Sequence, residues 1–293
     1  MTVSSVRRER FGEFSVLHRE AIGERQATVH FMHATGFNAY AYRRLFEALS
    51  PSLDVYAMDA RGHGLTDAPA NPKKLRSWAP FRRDLEAFIE TLPFPRILAG
   101  HSMGATVSME LAALRPELVE GLVMLDPVIL PPERVAMATA ARFLGISERL
   151  VPIARLAAKR KMEFPSKEAA VENFVGKGPF QRWERGWIED YVDGGTVPAE
   201  GGVRLSCERA WESRTFAVAT TSPYRPLRKV RCPITLITRE HDAPPFTRAS
   251  REAFMKHKPQ TRLVVLPDAS HFLVMEHPDV VRAEIEKMVE AVA

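Results

Sequence analysis

The sequence predicts an α/β protein: a mostly parallel β-sheet covered by helices on both faces and interrupted once by a helical insertion. Three observations carry this. Short strand-like apolar runs alternate with longer amphipathic stretches in both end portions of the chain, which is the rhythm of βαβ units. The rhythm stops between about residues 129 and 227, where one helical pattern follows another. Finally, the pentapeptide Gly100-His101-Ser102-Met103-Gly104 stands between an apolar run and a helical one. A serine at such a strand-to-helix turn is held in a sharp bend with its hydroxyl clear of the sheet.

Taken in order, strands are expected over 14–18, 27–32, 55–58, 96–99, 122–125, 234–238 and 263–266. Helices are expected between and after them over 40–49, 77–91, 103–114, 247–256 and 278–292. The interrupting stretch reads as helices over 133–143, 149–161, 167–175, 180–192 and 208–219. Prolines punctuate both of its ends, Pro127, Pro131 and Pro132 on one side and Pro223 and Pro226 on the other. The expected organisation is a core of residues 1–128 and 228–293, with 129–227 as an insertion that leaves the sheet and returns to it.

Composition narrows the class. With 293 residues, 45% hydrophobic and 26% charged, the chain can bury a sizeable core. No apolar run reaches the roughly eighteen residues that a membrane span needs, and no apolar segment stands behind Arg7 and Arg8, so a cytoplasmic location is expected. Cys207 and Cys232 have no ligand-type spacing and read as small buried or half-buried side chains, with no metal site expected. The net charge of +5 is mostly scattered arginine among acids, as in Arg182-Trp183-Glu184-Arg185, and is read as solvated surface rather than a nucleic-acid face.

A serine hydroxyl is a poor nucleophile until a base takes its proton. His271, on the loop after the strand at 263–266, would lie on the same sheet edge as Ser102, because loops after parallel strands share one edge. The base in turn needs a carboxylate. The loop after 234–238 supplies Glu240 and Asp242, and Asp242 is the expected partner, in the chain order Ser, Asp, His; Asp126, at the end of the strand over 122–125, is the alternative. An oxyanion would be met by the Met103 amide, behind the serine, and by the Thr35 amide in His33-Ala34-Thr35-Gly36, where small residues permit close backbone approach.

Together, His33-Ala34-Thr35-Gly36-Phe37, Asp59-Ala60-Arg61-Gly62-His63-Gly64, the pentapeptide around Ser102, Asp242 and Ser270-His271-Phe272 resemble the α/β-hydrolase superfamily over nearly the whole chain. The resemblance implies an eight-stranded sheet flanked by helices, with a helical cap inserted after the sixth strand. It implies a structural role for the Asp59 motif. The chain departs from relatives in carrying His33-Ala34 for the usual His-Gly, and Arg239 where relatives commonly have glycine.

With serine rather than aspartate at the nucleophile position, the resemblance is to the esterase, lipase and carbon–carbon hydrolase branches. It implies cleavage of a carboxylic ester or related acyl compound without metal or organic cofactor. A carbon–carbon hydrolase of a β-diketone or meta-cleavage type substrate, an acyltransferase and a ligand-binding protein are the alternatives. Aromatic residues of the insertion, among them Phe143, Phe164, Phe174, Phe180, Trp183, Trp187, Tyr191, Trp211 and Phe216, suit a small apolar or aryl acyl substrate, and also suit packing of the insertion onto the core. The chain is expected to act as a monomer or homodimer.

Overall fold

The computed structural model describes residues 5–219 and 223–292; the first four residues of the N-terminal stretch read above lie outside these. The strands are β1 (Arg7–Phe11), β2 (Phe14–Arg19), β3 (Ala27–Met32), β4 (Leu53–Met58), β5 (Arg96–His101), β6 (Gly121–Leu125), β7 (Glu163–Phe164), β8 (Thr196–Ala199), β9 (Gly202–Leu205), β10 (Ile234–Arg239) and β11 (Arg262–Leu266). Eight form the main sheet in the order β1-β2-β4-β3-β5-β6-β10-β11. Only β2 runs against its neighbours there; the pairings from β4 through β11 are parallel.

No strand is expected over 7–11 from the sequence, yet β1 forms there. Its residues, Arg-Arg-Glu-Arg-Phe, are almost all exposed, because β1 is an edge strand whose charges discourage pairing with another chain. The central strands are buried throughout, and their alternation splits the core into two layers. Ile97, Ala99, Val123 and Leu125 join one cluster, whereas Leu98, Leu122 and Met124 join the other.

Register brings the functional segments to a common edge. Met32 pairs with Gly100, His101 with Leu125, and Arg239 with Leu266. The residues that follow β3, β5, β6, β10 and β11 therefore emerge side by side where the strands end.

Between β6 and β10 the chain leaves this sheet. Helices occupy Pro132–Phe143, Ser147–Leu150, Pro152–Ala157, Lys167–Phe174, Arg185–Gly195 and Arg209–Ala217, and Tyr224–Lys229 leads back. Two expectations are corrected. The helix read over 149–161 is two short ones, because Pro152 can only begin a helical segment and not continue one. The stretch read as all helical also holds an antiparallel three-stranded sheet, β7-β9-β8. Gly201 and Gly202, both with positive φ, turn β8 into β9, a hairpin signal that alternates with too few residues to stand out. Gly194 does something different: a Cβ there would overlap Asn38 and Tyr40, so glycine lets this helix lie against the segment after β3.

Candidate functional site

Ser102 follows β5 and precedes the helix Met103–Leu114, with φ 56° and ψ −115°. Among the described residues only two non-glycine residues have positive φ, and they are Ser102 and Asp126. Such backbone costs on the order of 1–3 kcal/mol per residue and persists where surrounding bonds over-determine it. Here the Ser102 N–H donates to Leu125 O at 2.9 Å and the Asp126 N–H to Ile237 O at 2.9 Å, so each bend is tied to the next strand. The flanking glycines are required by proximity. A Cβ on Gly104 would overlap the Met32 carbonyl, and one on Gly100 would overlap the Gly104 backbone.

His271 lies after β11. Its Nε2 is 3.0 Å from Ser102 Oγ and its Nδ1 is 2.6 Å from Asp126 Oδ2. With Asp126 ionised, Nδ1 carries the proton and donates, and the Ser102 hydroxyl donates to Nε2. The turn bearing His271 is held from two sides. Glu276 accepts from the Ser270 N–H at 2.8 Å and from its hydroxyl at 2.5 Å, while His101 Nε2 donates to the His271 carbonyl at 2.8 Å.

The partner of His271 is thus Asp126 and not Asp242, which corrects the expectation above. Asp242 is exposed, and its Oδ1 accepts from the Arg248 N–H at 2.8 Å, at the start of the helix Arg248–His257. Chain order did not separate the two, since Asp126 also falls between Ser102 and His271. Arg239, the departure noted in the sequence, separates them. Its Nε donates to Asp126 Oδ2 at 3.0 Å, and its Nη2 donates to the carbonyls of Ala243 and Pro244 at 2.5 and 2.9 Å. The guanidinium fills the space beside Asp126 and ties down the very turn that carries Asp242. Thr238 completes the carboxylate, donating to Oδ1 at 2.7 Å. Burial would push the Asp126 carboxyl up, but His271, Arg239 and Thr238 outweigh it and hold it below the ordinary carboxylate range.

The loop after β3 lies against the serine turn, with Thr35 Oγ1 3.3 Å from Met103 Sδ. Neither the Thr35 nor the Met103 N–H donates to a protein acceptor among the described residues. Tyr42, unremarked in the sequence, links this loop to the histidine side. Its hydroxyl accepts from the Ala34 N–H at 3.3 Å and donates to His101 Nδ1 at 2.8 Å. His101 is fully buried, and burial foremost, with His271 nearby, lowers its pKa to about 3, so it stays a neutral linker. His33 is a strut of the same kind, donating from Nδ1 to Ala34 O and accepting the Ala60 N–H at Nε2. Asp59 accepts from Ala39 N, Leu65 N and Arg8, which is a loop-fixing role.

The insertion lies over this edge. Tyr191 donates to Gly36 O at 3.2 Å and Asn38 Nδ2 to Tyr191 O at 3.0 Å. Trp183 packs at 5.7 Å between ring centroids on both Phe37 and Phe272. Phe164, Phe180, Trp187 and Trp211 are buried too, but Phe143 is 91% exposed and belongs to no pocket wall. Arg160 bridges Glu212 and Tyr191 at 2.7 Å each beside Gly36, so its charge is neutralised within the protein. Cys207 is buried and Cys232 half-buried, both as free thiols. Among the described residues no three His, Cys, Asp or Glu side chains cluster as metal ligands, and no helix is long and apolar enough to cross a membrane.

Over 262 residues, 89% of this chain and 87% of the relative, the sequence is 26% identical to 2-(acetamidomethylene)succinate hydrolase of Mesorhizobium japonicum. Over 127 residues, 41% of this chain and 40% of the relative, it is 35% identical to sn-1-specific diacylglycerol lipase ABHD11 of Mus musculus. The crystal structure of E-2-(acetamidomethylene)succinate hydrolase matches the fold with a TM-score of 0.76 at 24% identity, covering 97% of this chain and 98% of that one. The sequence profile described as the Alpha/beta hydrolase family matches residues 31–284, a span that holds Ser102, Asp126 and His271, and the chain belongs to that family.

Proposed function

We propose that the protein is a serine hydrolase that cleaves a carboxylic ester or related acyl compound through an acyl-enzyme on Ser102. The observation that carries this is the hydrogen-bonded line from Ser102 Oγ through His271 to Asp126, with both of its end residues in strained backbone. In the first half-reaction His271 Nε2 takes the hydroxyl proton as Oγ attacks the acyl carbonyl. Asp126 stabilises the imidazolium and fixes the ring, and the Met103 and Thr35 N–H groups receive the oxyanion. The imidazolium then protonates the departing alcohol. Water, deprotonated by the same nitrogen, releases the acid and restores the serine.

Phe37, Trp183 and Phe272 pack on one another beside His271, surroundings that suit an apolar acyl or aryl group. A second reading, hydrolysis of an acylamino-methylene succinate, is favoured by the Mesorhizobium relative, which matches over most of both chains. A succinate dianion needs cations at the site: the buried Arg160 is paired with Glu212, while the more exposed Arg182 reaches Glu276, beside the His271 turn, only at 3.6 Å.

The test is hydrolysis of p-nitrophenyl esters from short to long acyl chains beside 2-(acetamidomethylene)succinate, with Ser102→Ala and His271→Ala as controls. Ester turnover lost in both variants supports the proposal. Turnover of the succinate alone selects the second reading. Failure of a fluorophosphonate to label Ser102 in the wild type would sink both.

A further inference from the structure

We propose that the first helices of the insertion form a docking face for an anionic lipid bilayer. The face begins just beyond Asp126, yet the inference does not depend on the reaction proposed above. Its first observation is a thinly covered helix: Pro132–Phe143 touches the helices Ser147–Leu150 and Arg248–His257, yet it runs for twelve residues and none of them is buried. A helix of that length is marginal in water on its own and draws its stability from a covered apolar face. Next, large apolar side chains stand in the open here. Of the twelve exposed ones among the described residues, six are Met137, Phe143, Leu144, Leu150, Ile153 and Leu156, so half fall within twenty consecutive positions. Met137 is 65% and Leu156 70% exposed, values at which a side chain packs on almost nothing.

Charge identifies the occupant. Residues 132–161 hold seven Lys or Arg and two Glu, a net +5. The whole chain is also +5, so the remainder is electrically balanced and the excess is confined to this segment. Arg134, Arg142, Arg149, Arg155 and Lys159 form no ion pair among the described residues. A second copy meeting this face would bring the same positive charge to it, which opposes a symmetric dimer. An anionic bilayer supplies both missing halves: acyl chains for Phe143, Leu144, Ile153 and Leu156, and phosphates for the arginines between them. That combination of apolar side chains and interleaved basic residues is how an interfacial helix lies on a membrane.

The experiment is co-sedimentation of the full chain with vesicles of phosphatidylcholine mixed with phosphatidylglycerol, and with vesicles of phosphatidylcholine alone. Binding to the mixed vesicles, weak binding to the neutral ones, and release by added salt are expected. The double variant Phe143→Ser with Leu144→Ser should weaken binding by at least about tenfold, and Arg142→Glu with Arg149→Glu by a similar factor. Because none of the four residues is buried, ester turnover in solution and the melting curve should stay close to the wild type. No sedimentation with the mixed vesicles, or sedimentation that both double variants leave unchanged, overturns the proposal. So does a concentration-dependent dimer in light scattering that the Phe143→Ser, Leu144→Ser variant abolishes, since a second copy would then be what covers the face.

Discussion

The loops after β6 and β10 each bring an aspartate to the same edge of the sheet, and their settings are opposite. Asp126 is buried in strained backbone and surrounded by three donors, His271, Arg239 and Thr238. Asp242 is exposed and caps a helix start. Residue type, sheet edge and chain order are the same for both, so what distinguishes them is the number of preorganised donors and the exclusion of water. A carboxylate in water is screened, whereas one held dry among donors keeps its charge and aim.

The strongest way to break this comparison is to remove each carboxylate in turn. Asp126→Asn should lower kcat by about ten-thousand-fold, since the amide can no longer orient the Nδ1–H tautomer of His271. Steady-state kinetics on whichever ester the wild type turns over measures it, and a loss seen with Asp242→Asn instead would return the acid role to the β10 loop. Arg239→Gln comes next. It leaves a buried carboxylate short of one cation and should cost about 3–5 kcal/mol in urea unfolding. A loss no larger than that of an exposed arginine, below about 0.5 kcal/mol, would show that Arg239 only packs.

The third prediction concerns the buried histidines on the β3, β4 and β5 side of the site. His30, His63 and His101 are lowered to about 3, by burial first and by neighbouring imidazoles second. In the unfolded chain each titrates near ~6.5, so below that pH the unfolded state binds protons that the native state refuses. Stability is therefore full above about pH 6.5 and is lost on acidification toward 3, at up to about 1.4 kcal/mol per histidine per pH unit. Urea midpoints between about pH 6.5 and pH 5 should fall, and His63→Gln should remove one proton's share of the slope. The smallest effect belongs to Asp242→Asn, which keeps an oxygen to accept from the Arg248 N–H, changes stability by no more than about 0.5 kcal/mol and leaves turnover as it was.

Much of the fold was readable because the central strands are buried on both faces and announce themselves as apolar runs. The edge strand β1 was not, since its charges serve to repel neighbours and erase the pattern. Within the site, Ser102 and His271 stand in local contexts, a strand-to-helix turn and a post-strand loop, that composition reveals. The choice between Asp126 and Asp242 depended on where one long side chain, Arg239, points. Tyr42 was invisible for a similar reason: its role rests on contacts with Ala34 and His101, which lie far from each other in sequence.

The glycines of the pentapeptide and its serine answer to different requirements. Gly100 and Gly104 are dictated by how near the backbones of β3, β5 and the following helix run, whereas nothing in that approach depends on the hydroxyl. A descendant that lost Ser102 would keep both glycines in order to keep its shape. The motif's outer positions are thus a record of architecture, its central position a record of chemistry, and selection can erase the second while preserving the first.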